Sequence, residues 1–151
     1  MDTKEVLLAQ MDACLENTWF VSLSQSIQGL TAEDADWKPS DEVNSIREIV
    51  NHLIFYNERH LNRFKNVPSD KKQVESTFLN KDGLTWHDAR ERMTRGIENW
   101  RIEIQNADRK KVEEQAEVIA HLTIHITYHT GQIIFLRKLQ GSWNTEDGVK
   151  G

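Results

Sequence analysis

Apolar residues recur every three or four positions in four separate stretches of this chain, and that spacing limits its fold more than any other feature. A helix gathers residues so spaced onto one face. A strand needs strict alternation, and no stretch alternates for long enough to build one. The first stretch carries Leu8, Met11, Leu15, Trp19, Leu23 and Ile27, and ends near Gly29. The second opens at Ser45, where Ser45-Ile46-Arg47-Glu48 has the form of a capping box. It runs through Ile46, Ile49, Val50, Leu53, Asn57, His60 and Phe64 and is finished before Pro68. The third starts at Thr85, with the stripe Trp86, Ala89, Met93, Ile97, Trp100 and Ile104. The fourth holds Val118, Leu122, Ile133, Leu136 and Leu139 and stops near Gly141. An all-α fold is expected.

The connections select a topology. Residues 29–44 and 65–84 are long for links between helices, and at about 3.3 Å per residue either could span a bundle end to end. The link between the third and fourth stretches is short, so those two helices are expected as antiparallel neighbours. A four-helix bundle with a long crossover connection fits this pattern. The 151 residues are expected to form one domain, 1–151, a length at which a folded chain buries roughly 70% of its unfolded surface. No internal repeat interrupts it.

Charge removes some classes of function. The formal net charge is −5, and Lys and Arg are scattered among Asp and Glu, so the basic surface of a nucleic-acid binder is missing. Lys71-Lys72 and Arg109-Lys110-Lys111 are short clusters and read as solvated loop or helix-end charges. Cys14 is the one cysteine and cannot form an internal disulfide, which fits a reducing compartment and a small apolar core residue better than a nucleophile. The N-terminal residues have neither the form of a signal peptide nor that of a membrane span. A cytoplasmic protein with no nucleic-acid or membrane partner is expected.

The chemistry concentrates between His121 and Gln132. A seam counted through the fourth helix as Val118, Leu122, His125, His129, Gln132, Leu136 and Leu139 has the heptad steps of a bundle-facing stripe. Two imidazoles and an amide then stand where the pattern asks for Leu or Ile, and buried polar groups need partners. Residues at i and i+4 lie about 5–6 Å apart on one face, so His125 and His129 could share a divalent ion. Hydrogen bonds across the core are the plainer alternative. A helix turns about 100° per residue, so His121 points away from His129 and is read as a supporting or structural residue. A further ligand must come from the second helix, which offers His52 and His60. Periodicity mildly favours His60, on the stripe with Leu53, Asn57 and Phe64. His52 lies on the flank with Ile49 and Tyr56, and spacing alone leaves the choice open.

Trp37-Lys38-Pro39, then Ser45 to Leu53 ending in Asn51-His52-Leu53, then His125-Ile126-Thr127-Tyr128-His129-Thr130-Gly131-Gln132-Ile133 together resemble the DinB/YfiT-like superfamily. The resemblance covers nearly the whole chain in order and spacing. It implies a four-helix bundle with a long crossover, a homodimer, and a three-histidine site for nickel, zinc or a similar ion at His52, His125 and His129. Many relatives carry a second histidine beside the last ligand, followed by Arg. This chain has Tyr128 and Thr130 there, so roles of those neighbours do not transfer.

Three neutral imidazoles leave a divalent ion its full charge and an open position, as in catalytic zinc sites. Water held there would be acidified toward neutrality, and a thiol would be presented as thiolate. The resemblance implies both chemistries: metal-dependent hydrolases, and transferases that use low-molecular-weight thiols such as bacillithiol. The expected partner is therefore a small-molecule substrate. A non-catalytic, stress-associated metal-binding dimer is the competing reading. Glu58 is a candidate general base if it faces the metal. Tyr56 and Gln132 are candidates to orient water, substrate or a ligand. Gly131 could admit a close neighbouring helix. Trp37 anchors or covers the end of the bundle, and Trp19, Trp86 and Trp100 are core residues by spacing.

Overall fold

The computed structural model describes residues 1–68 and 75–150. Lys71-Lys72, expected as solvated charges, lie outside the described residues. Among the described residues every regular element is helical.

Asp2 opens α1 (Thr3–Leu15) with a capping box, its carboxylate accepting from Glu5 N while the Glu5 carboxylate accepts from Asp2 N. The helix stops at Leu15, well short of Gly29. Asn17 Oδ1 accepts the amide of Ser22 at 2.9 Å, and Ser22 then caps α2 (Leu23–Ser26). A side chain has thus replaced the next helical carbonyl as acceptor. The break corrects the reading of Trp19 as a core residue, for its side chain is 95% exposed. Gly29 does end the stretch, at a φ of 71° that favours glycine. After α3 (Ala32–Asp36), Trp37 packs partly buried against the core and anchors the connection.

Ser45 caps α4 (Ile46–Phe64) with the expected box, and α5 (Trp86–Asn106) buries its whole expected stripe. Trp86 Nε1 donates to Leu30 O at 3.0 Å, and Trp100 Nε1 to Asn57 O at 3.1 Å, so both indoles stay inside with their polar atom satisfied. The link taken as short and plain contains α6 (Arg109–Glu114), capped by Asp108. α7 (Ala116–Gln140) ends at Gly141, φ 76°.

α1 and α4 each pack against both α5 and α7. α5 and α7 are therefore not the side-by-side pair that their short link suggested. α6, packed on α1 and α7, takes up the link and carries the chain across.

The stripe that α7 buries is Ile119, Leu122, Thr123, Ile126, His129, Thr130, Ile133, Leu136 and Arg137. The counted seam shares Leu122, His129 and Leu136 with this stripe and otherwise runs along its edge, because α7 carries apolar residues on several sides and more than one stripe can be drawn on it. Val118, Gln132 and Leu139 on that seam are exposed and His125 is half-buried. The edge position matters: His125 lies where solvent and ligands can reach it, while His129 is buried beside it. Arg137 is buried at the opposite end of α7, donating to Ser26 O, Gln28 O and Ser142 O and so tying down the end of α2.

Candidate metal centre

His52 projects from α4, and His125 and His129 from successive turns of α7. The packing of α4 on α7 brings the three rings together. His125 Nε2 stands 3.0 Å from His52 Nε2 and 3.0 Å from His129 Nε2. The ring centroids lie 4.6–5.0 Å apart, with the rings edge to face.

The outer nitrogens are engaged elsewhere. His129 Nδ1 is 2.7 Å from Gln132 Oε1, which can only accept, so that nitrogen carries the proton and leaves Nε2 with a free lone pair. His52 Nδ1 is 2.7 Å from Thr77 Oγ1, which fixes the same tautomer when it donates to the hydroxyl. Two Nε2 lone pairs then face His125 Nε2, which has at most one proton to share. At least one N···N approach at 3.0 Å is lone pair against lone pair unless a cation lies between them. An ion ligated at roughly 2.0–2.1 Å from each nitrogen satisfies all three. The residues present thus fit a divalent ion, and on this geometry the group could hold one.

Electrostatics favour the neutral imidazoles such an ion needs. Burial pushes the His52 pKa down from 6.5 to about 4, with His129 and His125 adding to the effect. Burial lowers His125 too, with contributions from His129 and His60, and it lowers His129 against the opposing bond to Gln132.

His52 and His125 form one wall of an open cavity of about 600 Å³ between α4 and α7. Tyr56, Val118 and Leu122 give it apolar surface, and His60, Glu117 and His121 add polar groups. The Tyr56 ring meets His52 and His125 edge-on at 5.0 and 5.7 Å. His60 stacks on the other reach of Tyr56, with ring centroids 6.3 Å apart. His60 thus shares the cavity but is no member of the triad. The α4 stripe passes through Leu61 instead, and the flank that carries His52 is the one turned to α7. His121 is exposed on the same cavity, as its helical angle from His129 required.

Glu58 does not face the metal group. Its two oxygens take Arg92 Nε at 2.5 Å and Arg92 Nη2 at 2.7 Å, beside a different cavity. Cys14 is buried and its thiol is pushed up to about 12 by burial, so it is an inert core residue. Among the described residues no element closes on Gly131, where an added Cβ would meet open space. Thr77 and Phe78 are the residues that sequence reasoning missed. Phe78 stacks flat on His52, 4.2 Å between centroids and 2° between planes. Nothing in the pattern of a long connection marks them.

No curated protein and no solved structure matches the chain significantly. The DinB superfamily matches residues 15–133, a span that takes in α4, α5 and all three histidines. With most of its length matched in this way, the chain belongs to the DinB superfamily.

Proposed function

We propose that this protein is a metal-dependent enzyme acting on small molecules, as a thiol S-transferase of the bacillithiol type or a hydrolase. His52, His125 and His129 would hold one divalent ion, zinc or nickel. The carrying observation is that three Nε2 atoms converge on one another, two of them on histidines, His52 and His125, that line a cavity large enough for a small-molecule ligand. Such an ion, when bound, supplies Lewis acidity that lowers the pKa of water or a thiol toward neutral. The chain's own groups do the rest. Gln132 and Thr77 hold the proton on the outer nitrogens, Phe78 covers one face of His52, and Tyr56, Val118 and Leu122 offer apolar surface to a substrate.

The test is metal analysis of protein purified without an affinity tag, alongside His52→Ala, His60→Ala and His125→Ala variants. Metal in the wild type and in His60→Ala, with loss in the other two, supports the ligand set; retention in His52→Ala overturns it. Turnover of thiol conjugates or model esters that needs added metal and vanishes in His129→Ala supports the enzyme. Tight metal binding without turnover favours the non-catalytic reading.

The same proposal takes α1, α4, α5 and α7 as a four-helix bundle with long connections across its ends, and takes the protein as a homodimer. Ile124, Tyr128, Phe135 and Leu139 form an exposed stripe on α7, each 53–63% accessible, with Gly131 at its middle. No Asp, Glu, Lys or Arg lies between Val118 and Leu136. A second copy of this helix is the partner that such a stripe fits.

A further inference from the structure

Residues 75–84 have no helical pattern, yet side chains of two helices fasten them. Arg92 on α5 donates to Glu58 on α4 and, through Nη1, to Asp82 Oδ2 at 2.7 Å. Its guanidinium is held above its ordinary pKa by the bond to Glu58 and then by Asp82, so the clamp stays charged. Arg47 on α4 grips Asp36 and donates to Leu84 O at 3.3 Å. Asn80 closes the turn, its amide donating to Leu84 O and accepting from Leu84 N, both at 2.9 Å. At the site itself, Asn51 Nδ2 donates to Phe78 O at 3.3 Å, one residue before His52. Thr77 and Phe78 therefore meet His52 in a fixed register.

That arrangement has a chemical consequence. An imidazole on a helix flank can turn about two side-chain bonds and exchange tautomers. Only one orientation and one tautomer aim its Nε2 lone pair at His125 and His129. The Thr77 hydroxyl, accepting from Nδ1, leaves the lone pair on Nε2, and the Phe78 ring stacked on His52 sets its plane. Groups that orient a ligand from behind change metal affinity about 10–100-fold when removed.

We propose that residues 75–84 are a strap that sets the metal affinity of His52 through Thr77 and Phe78, with Arg92 and Asp82 as the positioning pair that holds it. The proposal rests on the metal reading above. Arg92 makes no hydrogen bond to any of the three histidines; it holds α4 through Glu58 and the strap through Asp82, and only the Asp82 bond belongs to the strap.

The experiment is zinc titration of the full chain against a chromophoric chelator, with the His52 tautomer of the metal-free protein read by nitrogen-15 NMR. Thr77→Val is expected to weaken zinc binding about 10-fold or more. Asp82→Asn cuts only the strap side of the clamp and changes a side chain that is 62% exposed, so the helices keep their packing. It is expected to weaken binding roughly threefold or more and to replace the single Nδ1-protonated His52 tautomer by a mixture. In a Thr77→Val, Phe78→Leu background, the same Asp82→Asn change should cost less than about twofold, because the contacts it acts through are gone. Unchanged affinity and tautomer in Asp82→Asn, or an equal loss in both backgrounds, would overturn the strap alone. A wild-type chain that takes up no zinc would overturn the metal reading and the strap with it.

Discussion

His129 and Gln132 show how much of a candidate metal site one helix can write into sequence. Spacing of four joins His125 to His129, and spacing of three puts Gln132 behind His129, so two of the three histidines and one supporting side chain are legible from local geometry. Gln132→Leu removes the acceptor that holds the proton on His129 Nδ1 and is expected to cut zinc affinity about 10–100-fold by titration, with the helix content unchanged. His52 was legible only through resemblance, since which flank of α4 meets α7 is a tertiary fact. Its depressed pKa carries a pH prediction. The unfolded imidazole takes a proton near 6.5, the folded one only near 4, so the folded state is the poorer proton binder between those values. Stability of the metal-free protein is therefore full above pH 6.5 and falls as the pH drops toward 4. Thermal melts across that range should show the slope, and His52→Gln should flatten it. The same depression leaves the lone pair free in mild acid, so zinc should stay bound at about pH 5.5 in a dialysis series, where an unperturbed histidine is mostly protonated.

Among elements, α4 and α5 came nearest to being readable from periodicity. Their caps at Ser45 and Thr85 and the buried stripe of α5 stand where spacing put them. Ser45→Ala removes the hydroxyl that takes Glu48 N and should cost about 1 kcal/mol, read as a lowered chemical-denaturation midpoint at unchanged slope. The first stretch failed where one side chain competes with the helix: Asn17 captures Ser22 N, and the apolar rhythm through Trp19 and Leu23 continues across a break it cannot register. α7 failed in a different way. With apolar residues on several sides, its rhythm names no unique face, and the counted seam kept Leu122, His129 and Leu136 of the buried stripe while its other positions fell at the edge. The strap was beyond reach for a third reason, since its place depends on Arg47 and Arg92, which lie on two different helices.

For the whole molecule, the exposed side of α7 is the feature that a lone chain leaves unexplained. From Ile124 to Leu139 the stripe spans sixteen residues, roughly 22 Å along the helix axis. It is continuous with a groove of about 690 Å³ between α1 and α7, walled by Val6, Phe20, Ile124 and Tyr128, with Trp19 at its rim. An indole 95% exposed beside an apolar groove is costly for a monomer and useful to a pair. In a two-fold pairing each copy offers both the protruding ring and the groove, and Gly131 lets two α7 helices approach at the middle of the stripe. A stable pair needs about 800 Å² from each partner, and a stripe of this length together with the groove has the extent to supply it. Sedimentation of the wild type should then give a dimer. Ile124→Glu with Phe135→Lys, both on the outer face and remote from the buried stripe, should give a folded monomer. Zinc affinity should stay within about threefold of the wild type, because neither side chain is a ligand or hydrogen-bonds to a histidine. A monomeric wild type at micromolar concentration would leave the α7 stripe without a second copy, while the candidate metal centre, built from α4 and α7 of one chain, would stand unchanged.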